Sequence, residues 1–118
     1  MKSTKHIIGT TALALALGAA FGTAQADDKV KVGLMLPSTG TYAALGAAIT
    51  NGFKQFVAEN GGKLGGREVE YYTVDDESDP AKATENANKL VKRDKVDVLV
   101  GTVHSGVALA MAKVARDN

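Results

Sequence analysis

An α/β chain built on an open, mostly parallel sheet is predicted by three observations. Short apolar runs alternate with longer helical stretches from residue 30 onward. The order strand, helix, strand, helix, strand, helix calls for right-handed crossovers between parallel strands. Glycine or proline stands at the joints, where turns are needed.

The first strand is read at residues 30–36, Val-Lys-Val-Gly-Leu-Met-Leu, stopped by Pro37 and the polar turn Ser38-Thr39-Gly40-Thr41. Leu45, Ile49, Phe53, Phe56 and Val57 then recur at spacings of four and three, which predicts one apolar helix face. Gly61-Gly62 ends that helix where a left-handed residue is wanted, and Gly65-Gly66 tightens the return. The second strand runs over about 68–74. Asp79-Pro80 opens a second helix, with Asp79 as N-cap and Pro80 in the first helical position. Its inner face carries Ala83, Ala87, Leu90 and Val91, and Lys92 and Arg93 lie near its C-terminus, where the helix dipole favours cations. Residues 96–100 form the third strand. Gly101-Thr102-Val103-His104-Ser105-Gly106 leads into a third helix with Val107, Met111 and Val114 on one side. Three strands are few for a doubly wound sheet, and the expectation is a piece of a longer protein.

Composition narrows the function classes. The 118 residues are 45% hydrophobic and 23% charged, ordinary values for a globular domain. Lys2 and Lys5 supply two of the 14 basic residues, and residues 1–26 hold no acid, so 12 basic face 13 acidic residues in the remainder. That near-neutral balance gives no footprint for nucleic acid. The absence of cysteine excludes a disulfide framework, a thiolate nucleophile and a Cys-based zinc site.

Residues 1–26 are read as a cleaved secretory signal. Lys2 and Lys5 form the positive start, residues 7–21 are free of charge, and Ala24-Gln25-Ala26 offers small residues to a signal peptidase. The apolar core is shorter and more Ala/Gly-rich than the ~20 residues a permanent span needs. Without an Arg-Arg pair, the general secretory route to the periplasm is expected rather than the twin-arginine one.

Ligands of open parallel sheets bind beyond the carboxyl ends of the strands, where helix N-termini converge. Two loops qualify, residues 37–42 and 102–106. In the second, Ser105 either caps the third helix with its hydroxyl or offers it, with the free amides and the positive dipole end, to an anion such as a carboxylate. Gly106 would let that ligand approach the backbone. Tyr42 either touches ligand or packs on the surface. Asp75-Asp76 reads as a solvated turn before the Asp79 cap. One of Tyr71 and Tyr72 faces the core and the other the opposite side of the sheet. No dinucleotide or phosphate-loop glycine pattern is present, so no nucleotide cofactor is expected. His104 is the sole histidine outside the signal; a pocket-lining or packing role suits it better than that of a general base, since no nucleophile–base–orienter set forms around it. One histidine and scattered acids do not make a metal site.

Five motifs in order, Val32-Gly33-Leu34-Met35-Leu36-Pro37-Ser38-Thr39-Gly40, Asn60-Gly61-Gly62, Gly65-Gly66-Arg67, Asp75-Asp76-Glu77-Ser78-Asp79-Pro80 and Val100-Gly101-Thr102-Val103-His104-Ser105-Gly106, together resemble the type I periplasmic binding proteins of the leucine/isoleucine/valine-binding family. The resemblance covers residues 28–118. It implies a three-layer α/β lobe, of which residues 27–118 would supply only the first part, and a second lobe that closes on the ligand. It also implies a non-catalytic role: a monomer that captures a small carboxylate or amino acid and docks on an ABC permease in the inner membrane. The alternative on the same fold is an extracytoplasmic ligand-sensing domain. The family's carboxylate-binding serine matches Ser105. The helix residue that packs on the ligand's side chain matches Leu45, where branched-chain binders often carry a bulky aromatic. Leu45 and His104 both depart from the branched-chain pattern, and a His-Ser-Gly loop resembles that of binders of aromatic or other small carboxylates. The ligand is therefore open between a branched-chain amino acid and such a carboxylate.

Overall fold

A computed structural model describes residues 29–118. The secretory segment read at residues 1–26 lies outside the described residues. Strand β1 (Val30–Met35) leads through a loop to helix α1 (Ala43–Glu59). A short strand β2 (Lys63–Leu64) and a longer β3 (Arg67–Val74) follow, then helix α2 (Pro80–Asn88), strand β4 (Val98–Gly101) and helix α3 (Ser105–Arg116). The sheet order is β2-β3-β1-β4. β1 pairs in parallel with β3 on one side, Val32 opposite Tyr71, and with β4 on the other, Val32 opposite Val98. The expected three parallel strands are thus present.

The fourth strand is an addition to the sequence reading. β2 pairs antiparallel with β3, Lys63 opposite Glu68 and Leu64 opposite Arg67. Gly65 and Gly66 both take positive φ, +56° and +82°. A two-residue hairpin turn of this kind needs left-handed backbone at both central positions, which the glycine pair supplies without steric cost.

β1 is buried on both faces, as a central parallel strand should be: Val32, Leu34 and Met35 are all fully enclosed. Met35 belongs to a core shared with Ala83, Ala87 and Leu90 from α2 and its extension, and with Val107 and Val114 from α3. Tyr72 and Val74 of β3 pack on the same cluster. Tyr71, one residue earlier, turns to the opposite face, where its ring meets Phe53 of α1 edge-on at 6.3 Å and Lys54 stands 5.3 Å above it. One face of the sheet therefore carries α2 and α3 and the other carries α1, giving three layers.

α2 starts as read: the Asp79 carboxylate accepts the Ala81 amide at 2.8 Å, and Pro80 occupies the first helical position. It continues into a wider π-helical turn, Lys89–Arg93, closed by the Asp94 amide donating to the Lys89 carbonyl. The expected 3.6-residue spacing gives no hint of that widening, which seats Leu90 fully inside the core. β4 begins at Val98 rather than Val96, because Val96 and Asp97 close the turn instead: the Val96 amide bonds the Leu90 carbonyl, and Asp97 exchanges hydrogen bonds with Lys31.

The apolar face expected for α1 needs correction. Leu45, Ile49 and Phe56 are 53%, 42% and 55% exposed. Gly46 and Val57 are buried, and Thr50 and Phe53 are half-buried. The sheet-facing stripe is therefore 46, 50, 53 and 57, rotated from the one the large side chains suggest. Gly46 sets the rotation: a Cβ there would collide with the Pro37 carbonyl, so the helix lies down on the β1 exit through its smallest residue. At the far end the Gly61 and Gly62 amides bond back to the Ala58 and Val57 carbonyls at 3.0 and 2.9 Å, ending the helix at the expected glycines.

Candidate functional site

Three segments meet beyond the carboxyl edge of the sheet: residues 37–42 after β1, 75–79 after β3 and 102–104 after β4. The middle one joins the other two. The Asp75 carboxylate accepts the Ser38 amide at 2.9 Å, the Thr39 hydroxyl at 2.7 Å and the Glu77 amide at 2.8 Å. Burial acts to raise the Asp75 carboxyl, but the hydrogen bonds from Thr39, Glu77 and Ser38 outweigh it and hold the group well below the usual carboxylate range. Asp76 is fully buried; one oxygen accepts the Ser78 amide at 2.8 Å and the other accepts the Thr102 hydroxyl. The Ser78 hydroxyl in turn accepts the Tyr42 amide at 3.1 Å. Asn86, inside α2, donates its side-chain amide to the Asp75 carbonyl at 3.1 Å.

Asp75-Asp76 is thus not the solvated turn expected from the sequence. Glu77 and Ser78 follow with positive φ, 51° and 59°, which turns the chain sharply enough to bring both preceding carboxylates inward. Two adjacent acids after a strand look like surface, and only the hydroxyls at Thr39, Ser78 and Thr102, far apart in sequence, reveal the network.

The start of α3 also differs from its reading. His104, not Ser105, is the N-cap: its Nδ1 accepts the Gly106 amide at 3.0 Å. An accepting Nδ1 carries no proton, so in the neutral ring Nε2 is the donor. Ser105 becomes the first helical residue, and its exposed side chain has no hydrogen-bond partner among the described residues. No acid occupies the first turn of α3. The missing side chain of Gly106 has a packing reason, since a Cβ would press on Pro80 of α2 and on the His104 ring at 3.0–3.1 Å.

Tyr42 and His104 are brought together, ring centroids 6.1 Å apart and planes inclined at 61°. They bridge the β1 and β4 loops, with Ser105 next in the chain. Leu45 lies in the first turn of α1, three residues beyond Tyr42, with its side chain open. Among the described residues no group of three or more His, Cys, Asp or Glu could hold a metal ion, and no helix is long and apolar enough to cross a membrane.

The model of the periplasmic binding protein family matches residues 29–118. A solute-binding protein of an ABC transporter from R. palustris, solved with benzoate, is 59% identical with a TM-score of 0.74, over 76% of this chain and 25% of that one. The substrate-binding protein LivJ of a branched-chain amino acid transporter from Streptococcus pneumoniae, solved with isoleucine, is 29% identical with a TM-score of 0.70, over 76% of this chain and 26% of that one. The Leu/Ile/Val-binding protein BraC3 of Rhizobium johnstonii is 36% identical over 95 residues, which is 79% of this chain and 26% of the relative. The chain therefore spans about a quarter of the length of the proteins it matches. Parallel β1, β3 and β4, the three loops at their carboxyl edge and the helix that starts at Ser105 all lie within the matched residues. By that match the chain belongs to the periplasmic binding protein family, whose members bind solutes and are not enzymes.

Proposed function

We propose that residues 27–118 form the opening part of the N-terminal lobe of a two-lobe solute-binding protein, and that this protein captures a small aromatic carboxylate for an ABC importer. The observation that carries the reading is the Ser105 hydroxyl, open at the N-terminus of α3 with no acid in the first turn. A carboxylate placed there accepts a hydrogen bond from the hydroxyl and gains from the helix dipole. The edge-on Tyr42 and His104 rings beside it offer an aromatic wall for a flat ligand. The 59% identity to the benzoate complex, against 29% to the isoleucine complex, favours the aromatic class over branched-chain amino acids. Gly106 and Leu45 complete this chain's share of the site, the one by close packing and the other as an uncovered apolar surface.

The protein works in the periplasm, exported by the general secretory route through cleavage after Ala26, and meets an inner-membrane permease as a monomer. Calorimetry on the full-length protein with benzoate and with isoleucine tests the ligand class. Tighter binding of benzoate is expected. Isoleucine bound with benzoate excluded would overturn the aromatic assignment and leave the solute-binding role standing.

A further inference from the structure

The Asp76 carboxylate is the least expected group near the site: a fully buried acid, with no basic side chain among its hydrogen-bond partners, bonded to Thr102, three positions before Ser105. Burying a carboxylate is costly even when it is hydrogen-bonded, and packed apolar residues commonly serve stability as well. What Asp76 does have is a set of partners at both walls of the site. Its Oδ2 accepts the Thr102 hydroxyl, in the three-residue loop that ends at the His104 cap. Its Oδ1 accepts the Ser78 amide, and the Ser78 hydroxyl accepts the Tyr42 amide. Tyr42 then meets His104 across the gap at 6.1 Å. The contacts close a ring, from Asp76 through Thr102 to His104, across to Tyr42, and back through Ser78.

Ser105, next to that ring, is exposed, and its hydroxyl has no hydrogen-bond partner among the described residues. The β4–α3 loop is tied at Thr102 to Asp76 and at Gly106 to His104, one contact on each side of Ser105. The Thr102 hydroxyl has one proton, and it is committed to Asp76, so this side chain holds the loop and does not donate to the ligand.

We propose that Asp76 is a positioning residue of the ligand site, acting through the Thr102 hydroxyl to set the direction in which Ser105 and the first amides of α3 face the ligand. The proposal rests on the carboxylate site at Ser105 put forward above. The effect is on pre-organisation: a loop that wanders must be ordered when ligand binds, and the ordering is lost from the affinity.

The test is calorimetry of the full-length protein with benzoate, together with amide hydrogen exchange of residues 102–107 without ligand. Thr102→Val and Asp76→Asn are each expected to weaken benzoate by roughly tenfold and to speed exchange in this loop. The double variant should be no weaker than the worse single one, since both remove the same contact. Thr102→Ser, which keeps the hydroxyl, should retain affinity and protection. Val57→Ala serves as the control for a structural role: it empties space under α1, away from this loop, so it should lower the thermal midpoint with benzoate affinity unchanged. Affinity within twofold of wild type for both Thr102→Val and Asp76→Asn would overturn the proposal. So would additive losses in the double variant. If the wild-type protein ignores benzoate, the ligand assignment fails by itself; exchange in the loop then decides, and equal rates in Thr102→Val and Thr102→Ser overturn the positioning role.

Discussion

Replacing Ser105 by alanine separates the two tasks a serine can have at a helix start. A capping serine stabilises its helix by ~1 kcal/mol, and its loss would lower the thermal midpoint. In this protein the cap belongs to His104, whose Nδ1 takes the Gly106 amide at 3.0 Å, and the Ser105 hydroxyl bonds nothing among the described residues. Ser105→Ala should therefore change stability by less than about 0.5 kcal/mol, as surface substitutions usually do. Affinity behaves differently. A hydroxyl donating to a carboxylate contributes about 1.5–3 kcal/mol, so the variant should bind benzoate roughly 10- to 150-fold more weakly. His104→Ala should show the complementary pattern in stability, losing about 1 kcal/mol with the cap. Titration calorimetry and thermal melts on the same full-length preparations read both quantities. A Ser105→Ala protein that melts early and binds normally would refute the reasoning, because it would return the serine to the capping role and empty the site of its donor.

Two further outcomes follow from the same geometry. The Asp75 carboxyl titrates lower in the fold than in the unfolded chain, so its contribution is fully present above the unfolded value of about 4 and is lost as pH falls toward the folded one; denaturant melts between pH 7 and 3 should show stability declining below pH 4, less steeply in Asp75→Asn. Gly46→Ala should destabilise the protein by about 1–3 kcal/mol despite alanine's better helix propensity, since its Cβ meets the Pro37 carbonyl, and an unchanged or raised midpoint would contradict the close approach.

Elements whose large apolar residues face the core were legible. β1 stands out as an apolar run stopped by Pro37, and α2 and α3 show their buried positions, Ala83, Ala87, Leu90, Val107 and Val114, at helical spacing. The Asp79-Pro80 start is local chemistry and was readable for that reason. α1 misled because its contact is made by its smallest residue; hydrophobic periodicity weighs Leu45 and Phe56 heavily and Gly46 hardly at all. The strand-end position of the two loops that carry Tyr42, His104 and Ser105 was legible, since parallel strands bring their exits to one edge of the sheet. The roles of His104 and Ser105 at the helix start were exchanged, because serine is the commoner cap and a histidine acting through Nδ1 has no sequence signature. Asp75 and Asp76 were missed since their partners, Ser38, Thr39 and Thr102, lie 26 to 37 residues away.

An interior strand of the sheet is also the first of the described strands to be synthesised. β1 lies between β3 and β4, so its edges stay unpaired until residues 67–74 and then 98–101 have emerged. During that interval Val-Lys-Val-Gly-Leu-Met is a naked β-former, interrupted by the single charge of Lys31, and open edges of this kind recruit other chains. Until its later strands arrive, this one segment is where the newborn polypeptide is most open to pairing with a neighbour.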